Sequence, residues 1–271
     1  GRAQSDLLRN TRMSGVIQSG RFSSAAFVPT DISGLKFWID ADDAASFTYS
    51  SGVVVTTWND KSGSGWHLTD GAGATKAPSR NGTLNGRSTV TFNADDYLSK
   101  ETTISLGLTA FTAFIVASSS TTIANHGFFC AMSNVANDFD NANSAIFTSG
   151  TTGMFFEYYS NTGTSSITGT GNTPAAVWGI VKSGTGASQT TPYRDGTPGT
   201  ASTVAGGGTA DKRIYIGNRY YTSAYKVTNA NGALIGAVAE VIWYDSALSS
   251  SNHNLVGNYL ATKWGFTWTN V

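Results

Sequence analysis

Short apolar or alternating runs recur along most of this chain, divided by stretches rich in Gly, Ser, Thr and Asn, which is the signature of strands and turns. Residues 35–39 form a mostly apolar run suited to burial between two sheets, and 53–58 form a second that ends in the turn Asn59-Asp60-Lys61-Ser62-Gly63. Residues 88–92 alternate, with Val90 and Phe92 facing one side. Runs at 110–117, 127–132, 154–159, 176–181, 190–194, 213–216 and 237–244 complete the predicted strands, and Asp195-Gly196 is a hairpin signal. Polar stretches such as 162–171 and 206–209 read as loops. One segment switches to helical spacing after 249. Ser249 or Ser250 can cap its start, and Leu255, Val256, Tyr259, Leu260 and Trp264 share a face. Lys263 suits the negative end of the helix dipole and Gly265 suits its close, with a final strand expected beyond. Many strands and one helix predict an all-β, antiparallel β-sandwich.

Residues 1–30 follow neither period and are expected to form an extended arm, with the sandwich occupying 31–271. The arm holds Arg2, Arg9, Arg12 and Arg21 against Asp6, so a basic docking segment precedes a slightly acidic domain. The whole chain is neutral, with 17 basic and 17 acidic residues, so no global field draws it to nucleic acid or to an anionic membrane. Charged residues are only 13% of the chain, which leaves its surface to Ser, Thr, Asn and Gly. The one cysteine, Cys130, lies in the apolar run Gly-Phe-Phe-Cys-Ala-Met and forms no intrachain disulfide. No apolar stretch is long enough to cross a membrane as a helix.

Four blocks stand out: GLKFWIDADD at 34–43, VTTWNDKSGSGWHLT at 55–69, NGRSTVTF at 85–92 and GAVAEVIWYDSALSSSNHNLVGNYLATKWGF at 236–266. Together they resemble the LamG-like, concanavalin A-type jelly roll of bacteriophage virion proteins and bacterial surface proteins. The resemblance covers 31–271, although 118–225 matches only in strand rhythm. It implies a jelly-roll fold and a protein that binds, coats or adheres. The expectation is a structural or adhesive virion protein, head-decoration or tail-associated, whose arm docks on capsid or tail subunits at the virion surface. The alternative is an extracellular or cell-surface carbohydrate-binding adhesin that recognises host glycans. Exposed sheet edges leave a homo-oligomer open.

Candidate chemistry is sparse. Glycoside hydrolysis needs paired carboxylates, which relatives of this fold set at alternate positions on one strand. Glu101, Glu157 and Glu240 have no acidic residue two positions away. There is no nucleophile elbow, and His67, His126 and His253 show no zinc-protease spacing, so the chain is expected not to be an enzyme. No cofactor is expected. Calcium is the metal whose oxygen-donor chemistry suits the polar clusters Asp40, Asp42, Asp43 and Asp138, Asp140, Asn141, Asn143, though neither has the spacing of a calcium loop. Sugar recognition needs aromatic faces beside hydrogen-bonding groups. The candidates are Tyr220, Tyr221 and Tyr225, followed by Trp66 and Tyr193.

Overall fold

The computed structural model describes residues 26–70, 76–93, 95–102, 104–107, 109–120, 126–132, 145–150, 153–158, 164–168, 174–201, 213–218, 220–221, 224–225 and 233–271. For 126, 132, 145–168 and 220–225 it is the backbone that is described.

Short 3₁₀ turns at Pro29–Asp31 and Ala44–Ser46 flank the first strand, β1 (Leu35–Asp40). Then come β2 (Phe47–Ser51), β3 (Val54–Trp58), β4 (Leu68–Thr69), β5 (Ser79–Leu84), β6 (Arg87–Asn93) and β7 (Leu98–Lys100). The middle of the chain gives β8 (Phe111–Ser119), β9 (His126–Met132), β10 (Ala145–Gly150), β11 (Gly153–Tyr158) and β12 (Thr164–Thr168). After these follow β13 (Ala176–Lys182), β14 (Thr190–Arg194), β15 (Thr197–Pro198), β16 (Arg213–Ile216), β17 (Tyr220–Tyr221), β18 (Ala224–Tyr225) and β19 (Ile235–Tyr244), and finally helix α1 (Ser250–Trp264).

All pairings among the described residues are antiparallel, and the chain is an all-β sandwich. One layer runs β15–β14–β13–β8–β19, with β1 and β6 both on the far side of β19 and β5 beyond β6. The other runs β12–β11–β10–β9–β16–β7–β4–β3–β2. Alternation along a strand sends successive side chains to opposite faces. Phe37 of β1 and Trp243 of β19 are register partners, and the Trp243 ring stacks on Phe111 at 4.4 Å and on Phe129 of the second layer at 5.6 Å. The intervening positions, Trp38, Asp40, Glu240 and Phe114, face the other way, toward α1. Both faces of β19 are therefore covered, and its residues 238–244 are all buried.

β1 and β6 share one side of β19 in succession. β6 pairs with 235–238, β1 pairs with 240–244, and the ladder to β8 carries a bulge between Val238 and Glu240. At this junction Ala41 N–H donates to Ala239 O at 2.8 Å. An extra residue on one strand re-aims the chain, and here the bulge coincides with the change of partner.

The helix is capped by Ser249, whose hydroxyl accepts from Asn252 N–H, and closed by Gly265 in the left-handed region at φ 75°. Its buried positions are His253, Val256, Gly257, Leu260, Ala261 and Trp264, whereas Leu255 is 45% exposed. The buried stripe is thus anchored on a histidine, one step round the helix from the leucine that apolar spacing favours. No strand follows α1. The chain folds back so that the Trp268 indole lies where a Cβ on Gly257 would be, its Nε1–H donating to Asn254 Oδ1 at 3.1 Å. Asn254 also takes Val271 N–H and donates to Val271 O, each at 3.0 Å, while Thr269 N–H donates to Asp195 O. A second expectation also changes. The Ser/Thr stretch at 162–171 holds β12, which pairs with β11.

Candidate functional site

The blocks at 34–43, 55–69, 85–92 and 236–266 converge where β1 meets β6. Glu240 is wholly buried and its carboxylate takes four hydrogen bonds. Trp38 Nε1–H (2.8 Å) and Tyr259 O–H (2.9 Å) donate to Oε1; Trp264 Nε1–H (2.7 Å) and Lys263 Nζ (2.8 Å) donate to Oε2. Lys263 also meets Asp40 Oδ1 at 2.6 Å, and Asp40 is the register partner of Glu240 across β1 and β19. Lys61 extends the chain of charges, 3.1 Å from Asp40 and 2.7 Å from Asp43. Burial pushes the Glu240 carboxyl up, and Lys263 and the indole donor pull against it. The Lys61 bond holds Asp43 below the usual carboxylate range. Asp42 meets Arg87 Nη1, whose Nε–H donates to Lys263 O at the end of the helix, and Asn85 Nδ2–H donates to Trp264 O. Asn85 (φ 50°) and Gly86 (φ 82°) form the left-handed tip of the β5–β6 hairpin that places both donors. The Asn-Gly-Arg block therefore caps the C-terminus of α1. Asp60 organises the neighbouring loop, accepting from Trp38 N–H, Ser62 N–H, Ser62 O–H and Trp66 N–H. Buried at Glu240 and Asp40 and paired throughout, this cluster locks strands, hairpin and helix together.

The tyrosines lie elsewhere. Between β16 and β19 the chain makes an excursion whose root is closed by Leu234 N–H donating to Gly217 O at 2.9 Å, with Gly217 N–H donating to Phe128 O at 3.3 Å. Gly217 sits at φ 84° against the Phe92 ring, so both its backbone and its lack of a Cβ are required. Within the excursion β17 and β18 form a two-stranded sheet of their own, separate from the main network. Its register sets Tyr220 opposite Tyr225 and Tyr221 opposite Ala224. Directly opposite residues share one face of a ribbon, so Tyr220 and Tyr225 occupy the same face.

Trp66 and Tyr193 have other contacts. Trp66 packs half-buried on the core beside Asp60. Tyr193 lies against His253, ring centroids 4.6 Å apart, beneath α1. Asp40, Asp42 and Asp43 are each met by a lysine or arginine, and among the described residues no group of three or more His, Cys, Asp or Glu is arranged to hold a metal ion. Asp138, Asp140, Asn141 and Asn143, and the arm residues Arg2, Arg9, Arg12 and Arg21, lie outside the described residues. No helix among the described residues is long and apolar enough to cross a membrane.

No protein-family model matches the chain, and no curated protein sequence matches it. Solved structures do share its fold. It is similar to the receptor-binding domain of botulinum neurotoxin D, with a TM-score of 0.56, 12% identity, and 88% of this chain and 56% of that one covered. It is similar to a GH54 α-L-arabinofuranosidase, with a TM-score of 0.54, 14% identity, and 88% and 61% covered. It is similar to Trypanosoma rangeli sialidase in complex with the inhibitor DANA, with a TM-score of 0.52, 13% identity, and 89% and 36% covered. The chain thus spans from about a third to three-fifths of the length of these proteins. At such identities the likeness establishes the β-sandwich fold that lectin-like and glycosidase-like proteins share.

The expectation that the chain is not an enzyme is corrected by these neighbours, two of which are enzymes. That expectation rested on the absence of carboxylates spaced along single strands. Asp40 and Glu240 show its weakness, because strand pairing brings together acidic groups from opposite ends of the chain.

Proposed function

We propose that this chain is a carbohydrate-recognition β-sandwich that engages glycans through the ribbon β17–β18. The observation that carries the reading is the register placing Tyr220 opposite Tyr225 on a ribbon separate from the sandwich sheets and closed at its root. Paired tyrosines offer apolar faces for the C–H side of a pyranose and hydroxyls for its polar rim. Two of the structural neighbours, a sialidase and an arabinofuranosidase, act on saccharides by their names, which is consistent with this use of the fold. The setting we propose is an exposed surface, of a virion or of a cell, and it rests on the resemblance of the four sequence blocks. There the arm, with Arg2, Arg9, Arg12 and Arg21, would attach the domain to a neighbouring subunit.

The test is a glycan panel probed with the full chain, with and without calcium. Saturable binding that Tyr220→Ala with Tyr225→Ala abolishes, at unchanged Tm, is the expected result. Binding that survives the double substitution moves the site elsewhere, and no binding to any glycan overturns the reading. Product analysis of the bound glycans then decides whether recognition is coupled to cleavage.

A further inference from the structure

One lysine lies between two carboxylates that the chain brings from opposite ends. Lys263 Nζ is 2.6 Å from Asp40 Oδ1 and 2.8 Å from Glu240 Oε2, with the Tyr259 hydroxyl at 3.4 Å. The same nitrogen stands 5.6 Å from the Tyr259 ring and 5.2 Å from the Trp264 ring, and the Trp38 indole closes the side of Glu240. The Lys263 and Asp40 side chains are only 13% and 7% exposed, and Glu240 is wholly buried. Asp40 is held at both oxygens: Asp42 N–H donates to Oδ1 and Lys61 Nζ to Oδ2, each at 3.1 Å. An amine, a carboxyl carbon, a second carboxylate on the same amine and a cation on the far carboxyl oxygen are thus assembled in one dry place. These are the parts of an acyl-transfer site, and sugar recognition at the ribbon uses none of them.

We propose that Lys263 and Asp40 condense into an intramolecular amide that joins α1 to β1, with Glu240 as the proton relay. Glu240 takes a proton from the Lys263 ammonium and passes it to Asp40 Oδ1, leaving an amine beside a carboxylic acid. Nζ adds to Cγ, and the negative charge that develops on Oδ2 faces the Lys61 ammonium. A second proton travels from the nitrogen through Glu240 to Oδ1, the Cγ–Oδ1 bond breaks, and one water leaves. One cation and one anion become a neutral amide and water, so no oxidant, reductant or activating group is consumed. Burial raises the Glu240 carboxyl, which suits a group that must hold a proton in passing. Well-oriented intramolecular pairs reach effective molarities of about 10⁵–10⁸ M, which is what an unactivated carboxyl needs, and the closed site keeps bulk water from competing. Lys61 and Asp43 are nearly as close, at 2.7 Å, but the Asp43 side chain is 34% exposed to water. With a single cysteine the chain can form no disulfide within itself. The amide supplies a covalent bridge across most of the sandwich, constraining the unfolded chain as a disulfide would and holding in reductant.

Mass spectrometry of the full chain, purified folded and denatured before measurement, reads the reaction. The expected mass is that of the sequence less one water, and proteolysis should yield a branched peptide joined at Asp40 and Lys263. Reductant should change neither. A mass that matches the sequence overturns the proposal. So does the loss of one water with the Asp40 and Lys263 peptides found separate, which would place the dehydration at a turn such as Asp195-Gly196. Lys263→Arg keeps a cation between the carboxylates and should show the full mass of its sequence. Asp40→Asn should lose one ammonia in place of water, because nitrogen is then the leaving atom. Glu240→Gln keeps the shape of the relay without its proton transfer, so the folded variant should show its full mass. Conversion of that variant to the extent of the unaltered chain would overturn the relay. If a variant fails to fold, the mass and the branched peptide of the unaltered chain still decide.

Discussion

Replacing His253 with phenylalanine should make the protein resistant to mild acid. The His253 ring is 1% exposed, within 4.6 Å of Tyr193, 5.0 Å of Phe114 and 5.3 Å of Trp268, and among the described residues neither of its nitrogens has a hydrogen-bond partner. Burial pulls its pKa down to about 4, from about 6.5 in an unfolded chain. A base depressed in this way is neutral in both states above its unfolded pKa, where its contribution to stability is fully present. As the pH falls below about 6.5, the unfolded chain takes up the proton first, so stability is lost progressively until the folded pKa near 4 is passed. A gap of about 2.5 units at about 1.36 kcal/mol each puts the full loss at about 3 kcal/mol. Phenylalanine keeps the aromatic packing and has no proton to bind. It also removes two orphaned nitrogens, whose burial costs about 1–3 kcal/mol, an advantage offset where the larger ring crowds the box. Urea unfolding at about pH 7.5, 5.5 and 4 measures both effects. The stability difference, variant minus original, should grow by about 3 kcal/mol from the highest to the lowest pH. Asp96, raised to about 6 by burial, titrates in the same window. It is common to both proteins and cancels in the difference. A difference that stays constant with pH would refute the assignment of a buried, neutral His253.

Three other substitutions test the frame. Glu240→Ala leaves the Trp38 and Trp264 indoles without their acceptor and removes one of the carboxylates paired with Lys263; it should cost about 3–5 kcal/mol in urea unfolding, and a loss below about 1 kcal/mol would show the network to be ornamental. Asn85→Gly keeps the left-handed turn and deletes the bond to Trp264 O, so the expected loss is about 0.5–1.5 kcal/mol, with faster amide exchange in the last turn of α1 and unchanged exchange in its first turn. Gly217→Ala forces a Cβ to within 2.0 Å of the Phe92 ring at φ 84°, and should lower Tm and weaken glycan binding together; wild-type Tm with wild-type binding would refute the role given to the root of the ribbon.

The strands are legible because burial enforces period: 35–39, 110–117 and 237–244 each read as apolar runs, and each falls almost entirely within a mostly buried strand. β12 was hidden, since its Ser and Thr residues carry turn chemistry by composition and strand identity only by pairing with β11. The helix is legible in its caps but not in its face, because apolar spacing alone gives no sign that His253 fills a core position. The Asn-Gly-Arg block was visible as a motif, and its role was not. Asn85 and Arg87 act on carbonyls at Trp264 and Lys263, so the contact exists only after the two ends of the chain have met. The same holds for Asp40 and Glu240. The tyrosines stand out by their density in a polar stretch, and the opposition of Tyr220 and Tyr225 is visible only in the register.

The pairing of β1 with β19 sets a timetable for the chain's own making. β1 is complete at Asp40, yet its register partners run from Glu240 to Tyr244. At about 5–20 residues per second, roughly 10–40 s separate the emergence of the two strands. For that interval Phe37, Trp38 and Ile39 have no native sheet to join. α1, which closes over Trp38, emerges later still. Such waiting apolar strands are where nascent chains aggregate. Shelter of β1 would therefore aid the nascent protein, and the charged Asp40 at its end, with Asp42 and Asp43 just beyond, supplies repulsion between neighbouring chains before these residues find their lysines and arginine.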